Sequence, residues 1–410
     1  MAKMPQPSRN VAAWVFFGLA ALVLVSQAVS LYDRGKDLES DFGVFYRTCR
    51  LLDEGAGGEV YRERDSVTGW PISIPPAGLA LFQPFSRMSP PAAAIGWGLL
   101  NLAAAIVGCL LLRRLVDDRL FPWIGGVFLA LASGSMQVGQ FSILFASAWI
   151  LGAWLLSRSR ESSFAWAWPA ATKLYPTLLV AVPLSLSTSW KTTVRHLAFF
   201  CLFVLVFAYL VPLPFYGSRV FDLNASFANE VLFDTGGRLK WMQALGTTAN
   251  QGLDAVLIRY LSWYPKFHEQ YSVPTLALDL DAVRLIGHAV RAVILAYTIA
   301  AVVRWRKSRS ISYTDALKMA ALWSATLYLC LPETRARYAV YVVLAFIPLA
   351  HWCKGSVLRQ AAAVAVFLLV LGVMPKPLEV YGAGLLATLA LWLVCLQSLR
   401  DQRPHLATPG

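Results

Sequence analysis

Long apolar segments constrain the fold more than any other feature of this sequence. The first extends from Val11 to Leu31, and similar segments recur along the chain. About 20 apolar residues in a helix cross the hydrocarbon core of a bilayer, and only helices and closed barrels satisfy their backbone hydrogen bonds in lipid. The recurrence therefore predicts an all-α polytopic membrane protein. The first segment lacks the cleavage site of a removable signal, so we expect a retained helix.

Further apolar segments cover residues 92–112, 120–136, 141–156, 197–215, 282–303, 316–331, 339–351, 361–374 and 381–396. Prolines interrupt two more stretches, residues 74–85 and 164–186. A membrane tolerates such broken segments where they line a protein cavity. The sequence therefore predicts about 11 to 13 transmembrane or re-entrant helices. We assign them to a single domain, residues 1–400, followed by a cytoplasmic tail, residues 401–410.

Composition excludes a soluble globular protein, because 57% of the residues are hydrophobic and only 14% are charged. A net charge of +13 would suggest a nucleic-acid partner in a soluble protein. Here the positive residues occupy short connections, where they set orientation and meet anionic lipid. We therefore expect membrane lipids, and no nucleic acid, as partners.

The basic connections also predict which parts of the chain face the cytoplasm. The densest is RWRKSRS, from Arg304 to Ser310, and the positive-inside rule places it in the cytoplasm. Alternation of helices then puts both termini inside. It leaves two long loops, residues 32–71 and 216–280, on the outer side.

The cysteines and histidines do not form a metal-binding pattern. The six cysteines include no CxxC pair, and the five histidines form no HxxxH pair. Disulfide frameworks and zinc sites usually show such spacings. We therefore expect no metal and no cofactor.

Three carboxylates follow the first apolar segment, in the stretch GKDLESDFGVFY. Ser40 and Gly55 are typical start and stop residues of a helix, and the periodicity between them predicts an amphipathic helix on the outer membrane surface. Asp41 falls in its first turn, where the helix dipole favours a negative charge. Two interpretations remain open: a solvated acid at a helix start, or a carboxylate facing a pocket at the lipid boundary.

Four stretches in the first half of the chain share an order of motifs with a known family. They are DFGVFYRTCRLLDEGAGGEVY, PISIPPAGLALFQPF, GQFSILFASAWILGAWLL and WPAATKLYPTLL. Together they resemble glycosyltransferase family 87, over roughly residues 1 to 185. Members of that family include polyprenyl-phosphate-mannose-dependent α-mannosyltransferases of actinobacteria, and they are similar to the wider C-type integral-membrane glycosyltransferases.

The resemblance implies a C-type glycosyltransferase fold with an interfacial helix in the first outer loop. It implies transfer of a sugar, such as the hexose mannose, from a polyprenyl-phosphate donor to a glycolipid or glycan acceptor. The reaction would occur at the outer face of a bacterial inner membrane. An acidic residue of the first outer loop is the catalytic base in similar enzymes, and the matching residue is Asp41. Direct displacement with one base inverts the anomeric centre.

A phosphate leaving group needs fixed positive charge, and several basic residues interrupt apolar segments. Arg284, His288 and Arg291 follow Asp281 at helical spacing, so they form one stripe. They are candidates for donor-phosphate binding. Alternatively, Asp281 and Arg284 form a surface pair while the arginines extend towards the headgroups.

The stretch PETRARY supplies Arg335 and Arg337 as further candidates for the donor phosphate. Its Glu333 and Tyr338 are candidates for sugar or acceptor contacts. The arginines are equally suited to anchoring at lipid headgroups.

Lys173, in the Lys-x-Tyr-Pro element, interrupts another apolar segment. A buried lysine without a partner is costly, so we expect a phosphate or carboxylate beside it. Gln140, in the Gly-Gln element, is a candidate for hydrogen bonding a sugar, or simply packs between helices. Tyr46, in the first motif, completes the candidates for sugar or acceptor binding.

A lipid or oligosaccharide transporter is the competing hypothesis, with the basic stripe as a substrate path. Transporters built from inverted repeats usually show internal symmetry, and this sequence has no such repeat. A noncatalytic subunit of a membrane assembly is a more distant alternative.

Overall fold

A computed structural model describes residues 8–232, 249–263, 268, 270–271, 273, 275–308, 312, 315–331 and 333–400, with residues 8–10 described as backbone only. The predicted tail, residues 401–410, and parts of the predicted loop 216–280 lie outside the described residues. Within those residues the regular segments are helical, and β-pairing is limited to one isolated bridge between Arg64 and Pro71. The prediction of an all-α polytopic membrane protein is therefore confirmed.

The α-helices, in chain order, are α1 Ser8–Lys36, α2 Asp41–Asp53, α3 Pro76–Ser86, α4 Pro90–Leu115, α5 Phe121–Val138, α6 Ser142–Ser157, α7 Ser163–Thr172, α8 Ala181–Leu186, α9 Trp190–Leu205, α10 Leu213–Tyr216, α11 Arg219–Phe227, α12 Leu253–Leu261, α13 Leu280–Lys307, α14 Ala316–Cys330, α15 Phe346–Trp352, α16 Val357–Leu371, α17 Lys376–Val380 and α18 Ala383–Ser398. Short 3₁₀ helices cover Gly58–Tyr61, Tyr175–Val180 and Ala336–Ala345, and π-helical turns cover Val206–Leu210 and Ala228–Leu232.

Five helical segments in the described residues are long and apolar enough to cross a membrane: Val11–Lys36, Pro90–Leu115, Phe121–Val138, Trp190–Tyr216 and Leu280–Lys307. Six shorter apolar segments accompany them: Ser142–Ser157, Tyr175–Leu186, Ala316–Cys330, Ala336–Trp352, Val357–Leu371 and Ala383–Ser398. Leu22 of α1, Leu99 of α4 and Leu285 of α13 are exposed. Such side chains are stable at a surface that faces lipid, which is as apolar as leucine.

Helix α2 begins and ends close to its predicted bounds, and its first half is more deeply buried than an amphipathic pattern predicts. Every side chain from Asp41 to Tyr46 is buried, because α3 packs along one side and the chain between α5 and α6 covers another. Phe42 packs on Phe82 of α3, and Phe45 packs on Phe141. The amphipathic pattern is therefore confined to the last turns of the helix, where polar residues are exposed.

The two proline-broken stretches form short helices. Pro76 is the first residue of α3, a position that suits proline because its missing N–H has no helical partner there. Helix α7 ends at Thr172, and a 3₁₀ helix resumes at Tyr175. Proline at position 176 disfavours the α conformation of the residue before it. Lys173 lies in the resulting break.

The 3₁₀ helix Ala336–Ala345 is buried from Tyr338 to its end. It packs against α5, α6 and α14. Its second residue, Arg337, thereby lies beside Asp41, the first residue of α2.

Candidate functional site

Asp41, the first residue of α2, is held in place by the turn that precedes it. Leu38 in that turn has a positive φ of 57°, and its carbonyl accepts a hydrogen bond of 2.6 Å from Arg47 Nη1. Arg47 also forms two hydrogen bonds with the buried carboxylate of Asp65, at 2.7 and 2.6 Å. Gly43 lets the turn fold back, because a Cβ there would lie 2.0 Å from the Leu38 oxygen. The local chain therefore fixes where the Asp41 carboxylate lies.

The partner of Asp41 comes from the far end of the chain. Arg337 Nη1 donates to Asp41 Oδ2 at 2.8 Å, and Arg337 Nη2 donates to Glu333 Oε1 at 3.0 Å. Arg335 Nε lies 2.6 Å from the same Glu333 oxygen. The Arg337 guanidinium thus contacts two carboxylates, and the Glu333 carboxylate contacts two arginines. The Arg337 side chain is only 15% exposed, so these charges interact in a medium much less polar than water.

Aromatic rings enclose the Arg337 guanidinium. Its Cζ atom lies 5.2 Å from the ring centroid of Tyr338 and 5.8 Å from that of Trp70. Cations are attracted to aromatic faces at such distances. The rings therefore stabilise the positive charge of the arginine.

Lys173, in the break after α7, lies near the same charged groups. Its Nζ donates to Gln140 Oε1 at 3.2 Å and lies 5.0 Å from the ring centroid of Tyr338. The carboxylates of Asp41 and Glu333 lie close enough to stabilise its positive charge, and the charge of Arg337 opposes it. A bound anion would stabilise the ammonium further.

Two further tyrosines, Tyr341 and Tyr175, lie next to Tyr338 and to each other. Tyr341 stacks on Tyr338 with the ring centroids 6.0 Å apart, and its hydroxyl lies 2.9 Å from that of Tyr175. Tyr175 follows Lys173 in the Lys-x-Tyr-Pro element, so the break after α7 supplies both an ammonium and a phenol to this region.

We call Asp41, Gln140, Lys173, Glu333, Arg335, Arg337 and Tyr338 the charged cluster. All seven are candidates from the sequence, and the structure brings them together. It combines carboxylates with three cations, and these cations are the groups that could hold a phosphate. In the described part of the chain, no three histidine, cysteine or acidic side chains are grouped as a metal site would require.

Four other candidates lie elsewhere. Arg284 and His288 are exposed on α13, and no contact joins them to the charged cluster in the described residues. Tyr46 is buried, and its hydroxyl donates to the carbonyl of Met88 at 2.7 Å. Arg291 is occupied by protein groups: its Nη2 lies 2.6 Å from Asp254 Oδ2, and its Nε donates to the Cys330 carbonyl at 2.9 Å. The predicted basic stripe of α13 therefore does not reach the charged cluster as a unit.

The sequence did not single out Asp65, Trp70 or Asp254. Asp65 and Trp70 lie in a polar connection without helical or strand periodicity, so nothing marked them as buried or as neighbours of arginines. Asp254 had a weak signal, since it is an acid in the first turn of an apolar helix.

Comparison with known proteins gives one match. The sequence model of glycosyltransferase family 87 matches residues 74–332. Asp41 precedes the matched region, and the segment from Glu333 to Tyr338 follows it. Neither a curated protein nor a solved structure matches the chain.

Proposed function

Because the chain belongs to glycosyltransferase family 87, we propose that it transfers a hexose, such as mannose, from a polyprenyl phosphate to a glycolipid or glycan acceptor. The observation that carries this proposal is the contact between Asp41 and Arg337, 2.8 Å apart. A group able to accept a proton and a group able to bind a phosphate thereby occupy one site, as this reaction requires.

In this proposal Asp41 is the general base. Its carboxylate takes the proton of the acceptor hydroxyl as that oxygen attacks the anomeric carbon, and the sugar–phosphate bond breaks as the new bond forms. A base in hydrogen-bond reach contributes roughly 10² to 10⁴ in rate. The displacement inverts the anomeric centre, so a second carboxylate is not needed as a nucleophile.

Arg337, Arg335 and Lys173 are the proposed ligands of the donor phosphate. The leaving group carries away the electron pair of the broken bond, so its negative charge grows during the reaction. Guanidinium groups form paired, charge-assisted hydrogen bonds to phosphate oxygens. Glu333 contacts both arginines and would hold them in place for this role.

The sugar has polar and aromatic groups to contact. Gln140 offers an amide, and Tyr338 and Trp70 offer ring faces beside the cations. A few polar groups set among apolar walls are typical of small-molecule sites. The donor is a substrate, so the proposed reaction uses no cofactor.

The proposed site faces the outer side of a bacterial inner membrane. Helix α13 ends with Arg304, Arg306 and Lys307, which favours a cytoplasmic location for that end and for both chain termini. Helix α14 follows after a short connection, so its last residue, Cys330, would lie towards the opposite side. The Glu333–Arg337 segment follows Cys330 directly.

The substitution Asp41→Asn tests the proposal. Parent and variant, reconstituted in lipid nanodiscs, would be compared for transfer from a synthetic polyprenyl-phosphate mannose and for donor binding by calorimetry. We expect turnover to fall by about 10² to 10⁴ while the donor still binds. Asp53→Asn is the control, because Asp53 lies at the other end of α2 in a surface pair with Arg87. Unchanged turnover in Asp41→Asn would reject Asp41 as the base.

A further inference from the structure

Arg291 makes two contacts that join three separate parts of the chain. It lies within the apolar helix α13, and its Nη2 pairs with Asp254 Oδ2 of α12 at 2.6 Å. Its Nε donates to the carbonyl of Cys330, the last residue of α14, at 2.9 Å. The last carbonyls of a helix have no partner within the helix, so Arg291 satisfies one of them. The side chains of Arg291 and Asp254 are largely buried, with 14% and 12% of their surfaces exposed.

A second set of contacts holds the same segment four residues further on. Thr334 N donates to Asn250 Oδ1, and Gln251 N donates to the carbonyl of Thr334, each at 2.9 Å. The carbonyl of Asn250 accepts in turn from Arg259 Nη1 at 2.9 Å. Asn250 and Arg259 are fully buried. Arg291 of α13 therefore holds Cys330, while Asn250 and Gln251, which precede α12, hold Thr334.

Close approach of α12 and α13 makes the ion pair possible. A Cβ at Gly287 would lie 2.8 Å from Asp254 Oδ1, so a larger residue there would push the carboxylate away from Arg291. Because the Arg291 guanidinium already pairs with Asp254 and donates to the Cys330 carbonyl, it is poorly placed to bind a substrate phosphate as well.

We propose that Asp254 and Arg291 are positioning residues for the transfer reaction. They hold Cys330 and tie it to the start of α12, beside the residues that hold Thr334, and Thr334 leads directly into Arg335 and Arg337. The Arg337 guanidinium thereby stays opposite Asp41, although neither positioning residue touches substrate. This inference rests on the proposed function, in which that arginine binds the donor phosphate.

The substitutions Arg291→Ala and Asp254→Ala test this proposal with two measurements. Steady-state kinetics of the transfer give kcat and KM, and hydrogen–deuterium exchange reports on the Thr334 amide. Displacement of a catalytic group by about 1 Å can cost about 10²-fold, so we expect kcat to fall by that order with a smaller change in donor KM. Exchange at Thr334 should accelerate. The double variant should be no worse than Arg291→Ala, because the two residues act as a unit, and Arg291→Lys, which keeps the charge beside Asp254, should recover part of kcat.

Val293→Ala is the matched control, on the same helix at a position that is 67% exposed. It should leave both measurements unchanged, and an equal loss of kcat in the control would overturn the proposal. An unchanged exchange rate at Thr334 in the alanine variants would also overturn it, as would faster exchange with an unchanged kcat. A loss confined to donor affinity would overturn it too, because Arg291 would then be a donor ligand. Exchange depends on the contacts alone, so it detects loosening of the segment even if the parent proves inactive with polyprenyl phosphates and the proposed function fails.

Discussion

Arg337 Nη1 lies 2.8 Å from Asp41 Oδ2, although 296 positions separate the two residues in the chain. The pair is buried, so each charge is compensated by the other instead of by water. In the proposed reaction a donor phosphate competes with Asp41 for the guanidinium. Donor binding would then free the carboxylate to meet the acceptor hydroxyl.

Replacing Arg337 is expected to weaken donor binding. A hydrogen bond to a charged group contributes about 1.5 to 3 kcal/mol, so the donor Kd of Arg337→Gln should rise by roughly 10- to 100-fold. Arg337→Lys keeps the charge but loses the fork geometry and should recover only part of the affinity. Calorimetric titration with the polyprenyl-phosphate donor measures both. Arg50→Gln is the control, since Arg50 forms an exposed pair with Glu54. An unchanged Kd in Arg337→Gln would remove Arg337 from the phosphate site.

Replacing Lys173 is also expected to weaken donor binding. A hydrogen bond from a charged group contributes at least about 1.5 kcal/mol, so the donor KM of Lys173→Met should rise by roughly tenfold. Lys173→Arg keeps the charge and should retain more of the affinity. An unchanged KM in Lys173→Met would contradict a phosphate role for Lys173.

The pair of Arg47 and Asp65 should be required for a stable connection between α2 and α3. Burial raises the pKa of Asp65, but hydrogen bonds from Arg47 and Thr68 outweigh burial and lower it below 3.8. The ionised carboxylate therefore stabilises the fold above that pH, and the contribution is lost as pH falls through the folded-state value. Asp65→Asn at pH 7 leaves Arg47 without its ionic partner and should cost about 3 kcal/mol.

Thermal unfolding in detergent measures that cost as a lower melting temperature. The neighbouring exposed Glu63 provides the control, because Glu63→Gln changes charge by the same amount without burial. Equal melting temperatures for the two variants would show that the Arg47–Asp65 pair contributes nothing to stability.

Much of the fold could be predicted from the sequence, because the apolar period and the start and stop residues are local signals. Helix α2 begins at Asp41 after Ser40 and ends at Asp53, just before Gly55, close to the prediction. The individual members of the charged cluster could also be found, since each interrupts an apolar segment, matches a short motif or lies in a charged connection between two apolar segments. Which of them meet is a property of packing between distant segments, and no local signal encodes the contact between Asp41 and Arg337.

The basic stripe of α13 shows a second limit. Helical spacing correctly places Arg284, His288 and Arg291 on one face, but spacing does not say how far a neighbouring helix covers that face. Helix α12 reaches Arg291 through Asp254, while Arg284 and His288 remain exposed. The burial of α2 has the same origin, because its covering partners come from α3 and from the chain after α5.

The charged cluster is completed late in synthesis, because four of its seven residues lie between positions 333 and 338. All five long helices of the described residues precede position 308, so a nascent chain can be anchored in the bilayer before Arg337 has emerged from the ribosome. Until then the carboxylate at position 41 lacks its direct ionic partner. A product terminated before residue 333 would keep all five of these helices and yet lack the arginine that pairs with Asp41.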